Sequence, residues 1–276
     1  MFHRNIFKIH TKAMKLPFCK YHGAGNDFIL INNLSGNYHL TEKQINALCH
    51  RRFGIGADGL MLLEQDEPPY GYFMNFFNSD GTEGTMCGNG GRCLVAFADS
   101  LGLKNHFFRS IDGPHTGLVM EKSGQHAKVK LQLNDVERIS LYDKNSYVAD
   151  TGSLHLVKFT DNVKDVDMAV EGPFWRWHKD FGEEGINVNF VEILDNGCLY
   201  VRTFERGVED ETWACGTGSA AAAISARMHT KSLLDHWFIQ TKGGNLEVEF
   251  RQNGDSFADV FLTGGAVQTF EGHAEI

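Results

Sequence analysis

Two short segments of the 276-residue chain, Cys87-Gly-Asn-Gly90 and Cys215-Gly-Thr-Gly218, put a thiol directly before Gly-x-Gly. Each is followed by small and apolar residues, Cys93 to Ala98 and Ser219 to Met228, that read as buried helix. Each cysteine is therefore expected at a helix start, where the first N–H groups lack internal partners and carry partial positive charge. A thiol placed there should ionise more readily than a free cysteine, whose pKa is about 8.5. The glycines open the same N–H groups to an anion such as a carboxylate. Two such sites facing one cleft could take a proton from one face of a carbon and return one to the other, inverting it. A carboxylate held at both helix starts would be stabilised as it gained enolate charge. One thiol must then be ionised while the other is protonated, so their titrations are coupled.

The elements that position these thiols repeat. Strand, polar loop, Cys-Gly-x-Gly and helix recur at an offset of 128 residues (215 − 87), close to half the chain. Gly25-Asn26-Asp27-Phe28 and Ile186-Asn187-Val188-Asn189-Phe190 are weaker partners in the same comparison. The repeat points to a duplicated domain with a cleft between the copies. In the first half, strands are expected at Phe18–Tyr21 and Phe28–Asn32 around the turn Gly23-Ala24-Gly25, and at 60–64, 72–77 and 128–133. Thr41, with Gln44 three residues on, predicts a capped helix reaching about Arg51. A glycine-dense loop is expected over Gly81–Gly91. In the second half, strands are expected at 154–159, 188–193, 200–204, 245–250 and 258–262. The weakest stretch, Asn134–Ser146, holds the expected boundary. The units are then 15–134 and 135–262.

Composition removes several function classes. With 26 basic against 35 acidic residues, the net charge is −9, which disfavours nucleic-acid binding. No run approaches the ~18 apolar residues of a membrane span, so no membrane partner is expected. Cys19, Cys49, Cys93 and Cys198 lack framework spacing and read as packed free thiols in a reducing compartment. Neither Cys87 nor Cys215 has the close Cys or His spacing of a zinc site, so no metal is expected. No lysine lies in the motif blocks, which disfavours pyridoxal chemistry. Residues 1–14 carry Arg4, Lys8 and Lys12 and no acid. They read as an arm or an upstream start ahead of Met14, with a transit peptide as the alternative.

At His22-Gly-Ala-Gly-Asn-Asp-Phe28, Gly54-Ile-Gly-Ala-Asp-Gly59, Phe77-Asn-Ser-Asp-Gly81, Met86-Cys-Gly-Asn-Gly-Gly-Arg92, Gly185-Ile-Asn187, Glu205-Arg-Gly207 and Ala214-Cys-Gly-Thr-Gly218, the sequence resembles the diaminopimelate epimerases. The likeness runs from about Lys20 to Gly272. It implies an α+β fold of two pseudo-symmetric domains, each a curved, barrel-like mixed sheet around a central helix, with a C-terminal strand in 263–276 returning to the first domain. It also implies cofactor-independent, two-base epimerisation of LL- to meso-2,6-diaminopimelate, in lysine and peptidoglycan-precursor biosynthesis, by a cytoplasmic homodimer. On that resemblance Cys87 and Cys215 are the bases, and His155 and Glu205 tune them. Gly88, Asn89, Gly216 and Thr217 hold the reacting carboxylate. Asn26, Asn78, Ser153, Asn187, Glu205 and Arg206 contact the rest of the substrate. The chain departs from the family at Gly152-Ser-Leu-His155, where Gly-Asn-Pro-His is frequent. It departs again at Gly59, where some members carry Gln, and at Glu209-Asp210-Glu211, where the acidic loop before Cys215 is one residue longer than in some members. A proline racemase-like activity and a dithiol redox switch are the alternatives. The doubly charged contact set argues against the first, and turnover in reductant would exclude the second.

Overall fold

A computed structural model describes residues 15–195 and 197–276; the expected arm, 1–14, lies outside the described residues. The first half contains β1 (Lys15–Gly23), β2 (Asn26–Asn33), α1 (Glu42–Cys49), β3 (Gly59–Glu64), β4 (Phe73–Asn78) and α2 (Gly88–Ser100). It continues through β5 (Phe107–Ser110), β6 (Gly113–Ser123) and β7 (His126–Gln132). The second half contains β8 (Ile139–Asp143), β9 (Ser146–Asp150), β10 (Leu154–Phe159), α3 (Met168–Arg176), β11 (Asn187–Asp195) and β12 (Cys198–Glu205). It ends with β13 (Asp210–Thr212), α4 (Gly216–Thr230), β14 (His236–Thr241), β15 (Gly244–Asn253) and the long β16 (Ser256–Glu275).

Strand pairing yields an α+β fold of two mixed-sheet halves. The path runs β1 to β7 in order, crosses to β16, and continues through β15, β14, β12, β11, β10, β9 and β8. β16 serves both halves. It pairs β15 up to Gly264, β7 from Gly265 to Val267 and β1 from Val267 to Glu275. The β1–β16 ladder closes the first half into a ring. In the second half, Val136 bridges to Phe257 of β16.

Residue alternation explains why each half has helices on both faces of its sheet. In β2, Phe28 and Leu30 enter the central core, while Ile29 and Ile31 join a separate cluster with Ile45 and Leu48 of α1. Burying Ile45 and Leu48, at ~1.5–3 kcal/mol each, fastens α1 outside the ring. In β11, Val191 faces the central core, while Val188 and Phe190 face the cluster under α3. α2 and α4 lie inside. Every residue of α2 from Gly88 to Ala98 is buried, as are Ala220–Ala223 of α4. Small side chains let strands close around such a helix on all sides.

Several expectations shift. The Thr41–Gln44 capping box is present, but the helix ends at Cys49 because His50 turns extended. The glycine loop does not reach Gly91: α2 begins at Gly88 and absorbs three glycines into its first turn. α3 carries Gly172 and Pro173, two helix breakers, and went unforeseen. Gly172 is there because a side chain would collide with the Phe204 ring of β12.

Candidate active site

Both cysteines are N-caps with nearly equal extended backbone, Cys87 at φ −99°, ψ 129° and Cys215 at φ −112°, ψ 121°. The two helices meet at their starts. A Cβ built on Gly216 would lie 3.4 Å from Gly88 Cα, and one on Gly88 3.6 Å from Gly216 Cα. Two positive helix ends thus converge with a thiol at each. A strap crosses between them: Asn89 Nδ2 donates to the carbonyl of Ala214 at 2.8 Å. The β1–β2 turn seals the side. Gly25, at φ +87°, lets it lie against Trp213, where a Cβ would approach the Trp213 Cβ to 2.9 Å.

Around Cys215 the inner faces of β10, β11 and β12 supply a polar patch. His155 pairs in register with Asn187, and Asn189 with Thr203. His155 Nε2 lies 2.9 Å from both Ser153 Oγ and Thr217 Oγ1. Thr217 Oγ1 is 3.5 Å from Cys215 Sγ, and the Gly218 N–H donates to that sulfur at 3.4 Å. Glu205 ends β12, and its charge acts on both sulfurs.

Around Cys87 the partners differ. Its Sγ donates to Asn26 Oδ1 at 3.7 Å. Asn26 Nδ2 donates to Asp58 Oδ2 at 2.7 Å, which fixes the amide with its oxygen toward the thiol. Arg92, fully buried in α2, donates from Nη1 to the Gly88 carbonyl and from Nη2 to Asn89 Oδ1, both at 3.0 Å. An open depression of about 860 Å³ lies alongside, walled by Asp27, Arg51, Asp58, Trp213, Lys242 and Phe270; neither cysteine lines it.

The electrostatics overturn one expectation. Helix starts were expected to bring both thiols toward ionisation near neutrality, but burial pushes both up. The Gly90 and Asn89 N–H groups and Arg92 pull Cys87 down, and Thr217 and Gly218 pull Cys215 down. Glu205 works against them at both. Desolvation by burial is the largest effect at both sulfurs, and the groups that favour ionisation do not offset it. Burial, with Arg206 nearby, lowers His155 to about 3, so its imidazole is neutral. Burial also raises Glu205, against a pull from Thr212, and the Asp58 carboxylate adds to the rise. Among the described residues, no His, Cys, Asp or Glu cluster could hold a metal ion, and no helix is long and apolar enough to cross a membrane.

A sequence model of the family described as "Diaminopimelate epimerase" matches residues 18–136 and 147–269. A protein of that name from Flavobacterium psychrophilum is 44% identical over 258 residues, covering 91% of this chain and 97% of that one. Another from Chlorobaculum tepidum is 41% identical over 257 residues, covering 91% and 98%. The chain belongs to the diaminopimelate epimerase family. Among solved structures, a PhzF-family phenazine biosynthesis protein from Bacillus anthracis superposes with TM-score 0.72 at 14% identity, covering 95% of this chain and all of that one. A hydroxyproline epimerase from Agrobacterium vitis superposes with TM-score 0.69 at 13% identity, covering 95% and 93%. These two likenesses concern the fold alone.

Of the residues the diaminopimelate epimerase resemblance singled out, Asn26, Gly88, Asn89, Ser153, His155, Asn187, Glu205, Gly216 and Thr217 gather around the two thiols. Asn187 is tied down, donating to the Leu154 carbonyl at 3.0 Å and accepting from the Arg206 N–H at 2.8 Å. The Arg206 guanidinium pairs with exposed Glu184 at 3.2 Å. Asn78, at the exposed end of β4, pairs in register with Gly59, the residue after Asp58, and donates to Thr82 Oγ1 at 3.1 Å within its own turn. Sequence reasoning missed Asp58, Arg92, Asn189 and Thr203 as parts of the site. For Asn189 a signal existed: two residues beyond Asn187 on a strand, it must share that residue's face.

Proposed function

We propose that the chain converts LL-2,6-diaminopimelate to the meso isomer without a cofactor, with Cys87 and Cys215 as the two bases. The observation that carries this reading is the abutment of the two cysteine-capped helix starts at Gly88 and Gly216. One thiolate takes the α-proton, and the electron pair left on carbon spreads into the α-carboxylate. The N–H groups of the first residues of α2 and α4 face that carboxylate and stabilise its added charge. The other thiol gives its proton to the opposite face, so the sulfurs end with exchanged protonation. An ammonium beside Glu205 offsets the carboxylate field that opposes ionisation of both thiols. Arg206, released from Glu184, takes the distal carboxylate, with Asn26, Asn78, Ser153 and Asn187 contributing polar contacts. The reading extends to a cytoplasmic homodimer without nucleic-acid or membrane partners. The net charge and six free thiols support the setting, and the family resemblance supports the dimer.

The test is solvent exchange. Reduced protein in deuterium oxide should place deuterium at the α-carbon of LL-diaminopimelate and form the meso isomer, and should leave proline untouched. Absence of exchange from diaminopimelate, or exchange from proline instead, overturns the reading.

A further inference from the structure

The hydrogen bonds behind Cys215 have a direction, and Asn189 sets it. Asn189 is fully buried on the inner face of β11. Its Nδ2 donates to the Leu156 carbonyl at 3.1 Å, and its Oδ1 accepts from Thr203 Oγ1 at 2.9 Å. These partners fix which end of the amide is nitrogen, because a carbonyl only accepts. The same Nδ2 lies 3.1 Å from His155 Nδ1. An amide nitrogen can only donate, so Nδ1 must carry the lone pair and the ring proton must sit on Nε2. Nε2 then donates, and neither Ser153 nor Thr217 can give it a proton. Asn187 Nδ2 approaches Ser153 Oγ at 3.4 Å from the other side. Ser153 in turn lies 3.4 Å from Thr217 Oγ1. Donors therefore crowd onto the two hydroxyls from the strand side, and the Cys215 sulfur remains as the acceptor for Thr217.

We propose that Asn189 is a positioning residue for Cys215: by donating to His155 Nδ1 it holds the imidazole proton on Nε2 and turns the Thr217 hydroxyl proton onto the sulfur. The proposal rests on the reading of Cys215 as a proton-transferring group. The relay favours the thiolate of Cys215, against burial and against the charges of Glu205 and Cys87 that face it. Cys87 has no such hydroxyl: the Gly90 and Asn89 N–H groups and Arg92 favour its thiolate, but the side chain that faces it, Asn26, presents an acceptor.

Two measurements on the full chain test this without needing turnover, so they stand or fall apart from the diaminopimelate assay. First, nitrogen-15 NMR of the histidine rings, with His155 assigned by its loss in His155→Gln, should show the proton on Nε2. A proton on Nδ1 overturns the proposal, whatever the variants do. Second, the rate of iodoacetamide alkylation at Cys215, read by peptide mass spectrometry, should fall about tenfold near neutral pH in Asn189→Leu, as for a one-unit rise in thiol pKa. Cys87 should change less than about twofold, a selectivity that general loosening does not produce. In a Thr217→Val background the same substitution should add nothing, whereas Thr217→Ser should preserve the sensitivity. An equal effect of Asn189→Leu with and without the Thr217 hydroxyl overturns the relay.

Discussion

At the mouth of α2 the sulfur of Cys87 faces the amide oxygen of Asn26; at the mouth of α4 the sulfur of Cys215 faces the Gly218 N–H and the Thr217 hydroxyl. The backbones at the two caps are nearly superimposable, and both helices are sheathed by strands. What differs is the surrounding strand and loop chemistry: Asn26 and Asp58 on one side, His155, Asn189 and Thr203 on the other. A two-base inversion needs this inequality. Duplicated halves supply two equivalent positions about a carbon, yet at any moment one must hold a proton and the other must lack it. At Cys87 the Asn26 oxygen favours S–H against the pull of the Gly90 and Asn89 N–H groups and Arg92, whereas at Cys215 the hydrogen bonds from Gly218 and Thr217 both favour S⁻. The shared frame thus sets where the sulfurs stand, and the unshared side chains set what each is ready to do.

The severest test of that inequality removes one sulfur at a time. Cys87→Ala and Cys215→Ala should each lower epimerisation by ~10²–10⁴-fold, the usual contribution of a positioned acid or base. Each variant should still exchange the α-hydrogen of one stereoisomer with solvent deuterium, and the two variants should differ in which. Full epimerisation in either variant breaks the two-base scheme. Exchange of the same isomer by both would place the sulfurs on one face.

Acid should also separate the two mouths, through stability. His155, behind Cys215, has its pKa lowered by burial to about 3 from an ordinary 6.5. Asp27, near Cys87, is held at about 2 against an ordinary 3.8: burial raises it, but hydrogen bonds from Arg51 and Lys20 outweigh that. For both groups the unfolded chain binds the proton first, so stability falls as pH falls. The His155 loss runs from about 6.5 down to about 3, and the Asp27 loss from about 3.8 down to about 2. Near pH 5 only the first is under way, at about 2 kcal/mol. His155→Gln should flatten the decline of Tm between pH 6.5 and 4, and leave the steeper fall below pH 4. His22 and His106 are lowered by burial too and sustain part of the slope. An unchanged slope in the variant would falsify the neutral, buried imidazole.

Much of this was legible in the residues before any coordinates. Cys-Gly-x-Gly, twice at half-chain spacing, located both helix starts because glycine in a helix's first turn is costly unless something must come close. Paired capping residues located α1, and alternation located β7. The ionisation state was not legible, because it depends on burial contributed by strands far away in sequence, including β16. Nor was the polarity of the relay. Asn189 and Thr203 are ordinary strand residues until pairing sets them opposite each other. Asn78 carries a motif match, and only strand pairing shows it opposite Gly59, beside Asp58.

The smallest expected effect concerns the glycines that let the helix starts touch. A methyl at position 216 would sit 2.8 Å from Leu262 Cδ2 and 3.4 Å from the Cα of Gly88. One at position 88 would sit 3.1 Å from Leu262 Cδ2 and 3.6 Å from Gly216 Cα. The 2.8 Å approach forces Leu262 or the helix start to shift, the 3.1 Å approach asks for only a few tenths of an ångström, and the distances to the facing backbone are ordinary contacts. Gly216→Ala should therefore lower kcat by about tenfold, equivalent to about 1.4 kcal/mol, and Gly88→Ala by only a few-fold. Tm should change little in either, because alanine's better helix propensity, worth ~1 kcal/mol, offsets the crowding. Trimming Leu262 to Val should restore most of both losses, since the Leu262 side chain is the close contact in each case. Equal losses would mean that the two mouths are interchangeable at their point of contact, and their asymmetry would then reside wholly in the side chains around the sulfurs.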